Sequence, residues 1–150
     1  LCPVPDDVSF EEATFLPLAT SAVAWSDSSD VQSGDTIAIL GQGLVGSLML
    51  QVLQGIDPQR IIVVDTLPFR CQLAEQLGAD VVINAANQDP VAAVKELTDG
   101  KGVDLVIDPI GTKNWKLSYR ILAKMGKLII YGDQNLVKGD KLKPIVFPYY

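Results

Sequence analysis

No histidine occurs anywhere in the 150 residues. That removes the side chain that most often moves protons near neutral pH and the commonest protein ligand for metals. Cysteine is nearly absent too. Cys2 and Cys71 are the only two, they form no CxxC pair, and no ligand cluster surrounds either in sequence. A disulfide between them is one alternative. Two free thiols in a reducing cytoplasm is the reading taken here. No apolar run is long enough to cross a bilayer, and no secretory leader is visible at the start. Positive charge is also short: the net charge of -6 disfavours a nucleic-acid backbone as partner.

What remains is a chain that is 48% hydrophobic and 20% charged, of a length that suits one domain with a sizeable core. It begins at Leu1 without a methionine and ends directly after an apolar run, so the expectation is one domain, residues 1–150, cut from a longer polypeptide.

The pattern along the chain alternates strands and helices. Ser9 and Glu12 have capping-box spacing and open a short helix, and Pro17 starts a second one running to about Ser28. Strands are expected at Thr36–Leu40, Arg60–Asp65, Asp80–Asn84, Val103–Asp108 and Lys127–Tyr131. The unalternating Ile61-Ile62-Val63-Val64 run suits a strand covered on both faces. Helices are expected after Gly43, at about Pro68–Leu77, Pro90–Thr98 and Lys113–Lys124, the last with Trp115, Tyr119 and Leu122 at helical spacing and Gly126 at its end. Such alternation predicts an α/β fold, a doubly wound parallel sheet of the Rossmann type in the order 3-2-1-4-5. The tail after Tyr131 leaves room for a partial sixth strand.

Gly41-Gln42-Gly43-Leu44-Val45-Gly46 carries the chemistry. It follows an apolar strand and opens an apolar helix, and Asp65 ends the next strand about 20 residues further on, which is the dinucleotide fingerprint in its structural context. Gly41 permits the turn, Gly43 lets the backbone approach a pyrophosphate, and Gly46 allows close helix–strand packing. The amides of Leu44 and Val45 are the expected phosphate donors at the helix N-terminus. Asp65 would accept from the adenosine ribose hydroxyls. A 2′-phosphate there would meet its charge with only Arg70 to offset it, so NAD is expected over NADP. Arg70 either covers the adenine face or is a plain surface arginine. Pro109 and Ile110 either wall the cofactor or form a simple strand-end turn.

These residues resemble the medium-chain dehydrogenase/reductase superfamily: zinc alcohol dehydrogenases and their zinc-free quinone and enoyl reductase relatives. The resemblance runs through Val4–Ala13, Leu16-Pro17-Leu18-Ala19-Thr20, the glycine loop, Val64-Asp65, Glu75–Asp80 and Val106–Gly111, in the family's order. It implies a longer enzyme whose N-terminal catalytic domain holds a small-molecule substrate, with this chain supplying the cofactor domain of an alcohol- or ketone-directed oxidoreductase and turning over nothing alone. It also implies that Thr20 approaches the nicotinamide and that main-chain groups from Tyr131 to Asp133 hold its carboxamide. Spacing alone does not exclude that Thr20 is a helix-surface hydroxyl. Zinc-dependent members carry Cys or Glu where this chain has Leu16, so no zinc is expected on this chain. That position resembles the zinc-free reductases instead, whereas Asp65 points to NAD. Further readings are a non-catalytic dinucleotide sensor and, against the third glycine, a methyltransferase. A homodimer through the sheet edge near Leu142–Phe147 is a further expectation.

Overall fold

The computed structural model describes residues 3–111 and 114–132. Two helices come first, α1 (Phe10–Ala13) and α2 (Leu16–Ser29). The remaining elements alternate: β1 (Thr36–Leu40), α3 (Leu44–Gln54), β2 (Arg60–Asp65), α4 (Pro68–Gln76), β3 (Val81–Asn84), α5 (Pro90–Leu97), β4 (Val103–Asp108), α6 (Trp115–Ile121) and β5 (Leu122–Ile130). The five strands are all parallel and lie in the order β3-β2-β1-β4-β5, as the alternation predicts.

Local chemistry fixes the boundaries. The Ser9 hydroxyl accepts from the Glu12 amide at 3.2 Å while Glu12 Oε2 accepts from the Ser9 amide at 2.8 Å. The Ser9 amide, and then its hydroxyl, donate to the Glu12 carboxyl and hold it below its ordinary pKa. Pro17 stands in the first turn of α2, where its missing N–H is no loss. Carboxylates tie down the strand starts: Asp104 accepts from the Thr36 amide at 2.9 Å and Asp80 from the Ile61 amide at 2.7 Å.

Alternate strand residues feed two cores. On one face Ile37, Ile39, Ile61, Val63, Leu105 and Ile107 pack with Met49, Leu50 and Leu53 of α3, Ala22 of α2 and Ala74 of α4. On the other, Ala38, Leu40, Ile62, Val64 and Val106 pack with Val91 and Val94 of α5 and Ile121 of α6. Helices therefore cover both faces of the sheet, and the carboxyl ends of its strands open on one edge.

The last crossover departs from the sequence expectation. α6 stops at Ile121, and Leu122 is already extended and paired with Val103. The register then shifts, so that Leu105 pairs with Lys127, and the extra residues of β5 include Met125 at φ 69°. Gly102 allows the end of α6 to pack close to the start of β4. It has φ +93°, and a Cβ there would meet Ile121 O at 2.5 Å and Leu122 O at 2.6 Å. The chain leaving α6 thus passes directly into β5 beside the start of β4. The aromatic stripe of α6 is also turned outward: Trp115 and Tyr119 are 43% and 48% exposed, in edge-to-face contact at 6.1 Å. The inward positions are Ser118 and Ile121. The tail proposed for a sixth strand and a dimer edge lies outside the described residues. Among the described residues no helix is long and apolar enough to cross a membrane.

Candidate functional site

The carboxyl ends of β1, β2, β4 and β5 surround a cleft of about 680 Å³, within the size range of small-molecule sites. Its lining contains Gly41, Gly43, Leu44, Val45, Gly46, Asp65, Arg70, Pro109, Ile110 and Tyr131, so nearly every candidate read from sequence meets in one place. Thr20 does not line it. Thr20 is exposed on α2, and its hydroxyl donates to the Leu16 carbonyl at 2.8 Å.

The loop after β1 is tight. Gly41 has φ +91°, a conformation that favours glycine, and its amide donates to Val64 O at 2.7 Å. α3 begins on Gly43 with no side-chain cap. Its first-turn amides are therefore left for another acceptor, at the end of the helix that carries partial positive charge. A Cβ on Gly43 would come no closer than 3.9 Å to anything, its nearest neighbour being the Arg70 guanidinium, so glycine leaves open space over the loop. Gly46 is the opposite case: a Cβ there would overlap the Gly41 carbonyl.

Asp65 is only 7% exposed. Its Oδ2 accepts from the Gln42 amide at 2.7 Å and its Oδ1 from the Leu67 amide at 2.9 Å, so the carboxylate ties the glycine loop to the end of β2. Arg70 Nη1 stands 3.7 Å from Oδ2, with its side chain 38% exposed. A carboxylate offers about four acceptor positions, so these two amides do not fill it.

Asp108 is fully buried at the end of β4. Oδ1 accepts from the Ile110 and Gly111 amides at 2.8 and 3.1 Å, and Oδ2 from the Ser118 hydroxyl at 2.8 Å. It shapes the Pro109–Ile110 wall from behind. Sequence reading took it only as a strand end, and the signal for its partner, a serine on the inward face of α6, was hidden by the aromatic stripe. Ser118→Ala removes the donor that Oδ2 has among the described residues and should lower unfolding free energy by about 1–3 kcal/mol, read as a shift of the urea midpoint at unchanged slope.

Thr66, Ala85, Asn114 and Leu117 also line the cleft and were not singled out from sequence. The signal for Thr66 and Ala85 was available: each follows the last residue of a strand in a parallel sheet, where ligand crevices form. Among the described residues, two polar side chains in this region have no partner. Gln42, 1% exposed, leaves both amide atoms unbonded, and the Tyr131 hydroxyl is likewise buried and unpaired. Each such group costs about 1–3 kcal/mol. Burial, and then the Asp108 charge, push the Tyr131 phenol up, so it stays protonated. Among the described residues no three His, Cys, Asp or Glu side chains are grouped to hold a metal ion.

Residues 45–147 match the sequence model of a family described as zinc-binding dehydrogenase. Over 138 residues the chain is 34% identical to an uncharacterized zinc-type alcohol dehydrogenase-like protein of Escherichia coli K12, covering 91% of this chain and 39% of that protein. An NAD-dependent alcohol dehydrogenase of Sulfurisphaera tokodaii is 36% identical over 99 residues, 65% of this chain and 28% of its own length. The crystal structure of benzyl alcohol dehydrogenase from Acinetobacter calcoaceticus superposes with a TM-score of 0.82 at 34% identity, covering 93% of this chain and 39% of that one. The chain thus spans about two-fifths of the length of such relatives.

Proposed function

The chain belongs to the zinc-binding dehydrogenase family, and from that premise we propose that it is the cofactor-holding part of an NAD(H)-dependent oxidoreductase acting on alcohols or the matching carbonyl compounds. The observation that carries this reading is the meeting of Asp65 with the uncapped start of α3 in one cleft. A dinucleotide needs an anion site for its pyrophosphate and an acceptor for its ribose hydroxyls, and these stand on adjacent strands, β1 and β2.

The groups fit the cofactor. The amides of Leu44 and Val45 would hold the pyrophosphate, and the bare Gly43 leaves it room. The free lone pairs of Asp65 would take the adenosine ribose. Arg70, paired with Asp65 at 3.7 Å, is a single cation already engaged and makes a poor seat for a 2′-phosphate; NADH is therefore favoured over NADPH. Pro109 and Ile110, braced by Asp108, form an apolar wall that keeps water off the nicotinamide side. When bound, the cofactor supplies hydride transfer, and the chain's contribution is placement.

The substrate is held by a catalytic domain on sequence N-terminal to this chain. A second reading, a zinc-free quinone or enoyl reductase, is favoured by one observation: Leu16 stands, 62% exposed, where zinc-dependent relatives would need a ligand. Assaying the full-length protein separates them. Alcohol-dependent NAD reduction that a chelator abolishes supports the first reading; chelator-resistant reduction of an alkene or quinone supports the second. NADH binding without turnover of any of these would leave a dinucleotide sensor.

A further inference from the structure

We propose that the outer face of α6 is a docking surface for the acidic N-terminal face of a second copy of this chain. The inference does not rest on the dinucleotide reading above.

Trp115, Lys116, Tyr119 and Arg120 are exposed and share one side of α6, while Leu117, Ser118 and Ile121 face inward. The outer side chains support one another. Trp115 and Tyr119 meet edge to face, and Lys116 Nζ stands 5.8 Å from the Trp115 ring centroid. Trp, Tyr and Arg are the residue types that most often anchor protein interfaces. Here all three occupy one face of a single short helix, and no carboxylate shares that face. Lys124, just past the helix, is exposed as well. Among the described residues none of these three cations is in an ion pair.

Aromatic rings among unpaired cations call for a partner that is both apolar and negative. The chain itself carries such a surface. Residues 1–59 contain no Lys or Arg. Around α1 and the start of α2, Phe10, Phe15 and Leu16 are 84%, 43% and 62% exposed. Asp6, Asp7, Glu11 and Glu12 stand exposed in the same segment. One molecule cannot bring the two surfaces together. α2 packs on one side of the sheet through Ala22, and α6 packs on the other through Ile121. The contact therefore runs head to tail between copies, and each added copy leaves one free face of each kind unless the rotation closes a ring.

Sedimentation of the chain tests this. At low ionic strength its average mass should rise with protein concentration. Near 1 M NaCl, where charge is screened within about 3 Å, it should return to that of one chain. Two charge reversals complete the test: Lys116→Glu with Arg120→Glu on α6, and Asp7→Lys with Glu11→Lys on the acidic face. All four positions are exposed, so both variants should melt within about 2 °C of the parent. Each variant alone should stay monomeric. Mixed in equal amounts they should associate again, because opposite charges face each other once more. A parent chain that is monomeric at low salt would overturn the inference. Association that persists at 1 M NaCl or in either variant alone would also overturn it and point to another surface, as would a mixture that stays monomeric.

Discussion

Asp65→Ala should lower NADH affinity by about two orders of magnitude and abolish the preference for NADH over NADPH. Two effects contribute. The carboxylate supplies charge-assisted acceptors for the ribose hydroxyls, each worth about 1.5–3 kcal/mol. It also holds the Gln42 and Leu67 amides at 2.7 and 2.9 Å, so its loss loosens the glycine loop. The ratio of the two affinities separates these effects. Loop damage weakens NADH and NADPH alike, because both carry the same pyrophosphate. Loss of the ribose contact weakens only NADH, and removal of the negative charge relieves NADPH. Fluorescence titrations of both cofactors with parent and variant give the ratio. If both affinities fell by one common factor, Asp65 would be a loop brace and nothing more.

The glycines of the loop should divide into a structural one and a binding one. Gly46→Ala places a methyl group into the Gly41 carbonyl. Backbone cannot yield as a side-chain tip can, so α3 must move away from β1, at a cost of up to about 3 kcal/mol. For a domain of this size that is a fall in Tm of about 6–12 °C. Gly43→Ala meets nothing within 3.9 Å and its backbone is extended at φ -75°, so its Tm should stay within about 2 °C of the parent. Its new methyl group projects into the space the pyrophosphate needs, and NADH affinity should fall about tenfold or more. Thermal melts and titrations on the pair decide it. Equal melting temperatures, or a Gly43 variant that binds normally, would contradict the division of roles.

Much of this was legible beforehand, for identifiable reasons. The Ile61–Val64 run and the spacing from Gly46 to Asp65 are strong local signals, and they placed β2, the loop and the sheet order together. Thr36 and Asp65 bound their strands as the pattern says. The end of α6 was not legible, because it coincides with close packing of Gly102 against Ile121 and Leu122, a contact between elements that no window of sequence contains. The inward face of α6 was not legible for a related reason. Hydrophobic periodicity points to Trp115 and Tyr119, yet the buried serine is selected by a hydrogen bond to Asp108. At the site, the glycines and Asp65 follow a pattern set by backbone and phosphate geometry. The Tyr131 hydroxyl and the Gln42 amide follow none, and only their missing partners in the folded chain mark them. Thr20, implied by resemblance, stands on the surface of α2, outside the cleft.

The most direct measurement is a titration of this chain with NADH and, in parallel, NADPH, followed by the change in nicotinamide fluorescence. The account predicts saturable one-to-one NADH binding, at least tenfold tighter than NADPH, and competed by ADP-ribose. No NADH binding, or equal affinity for the two cofactors with Asp65 intact, would contradict it.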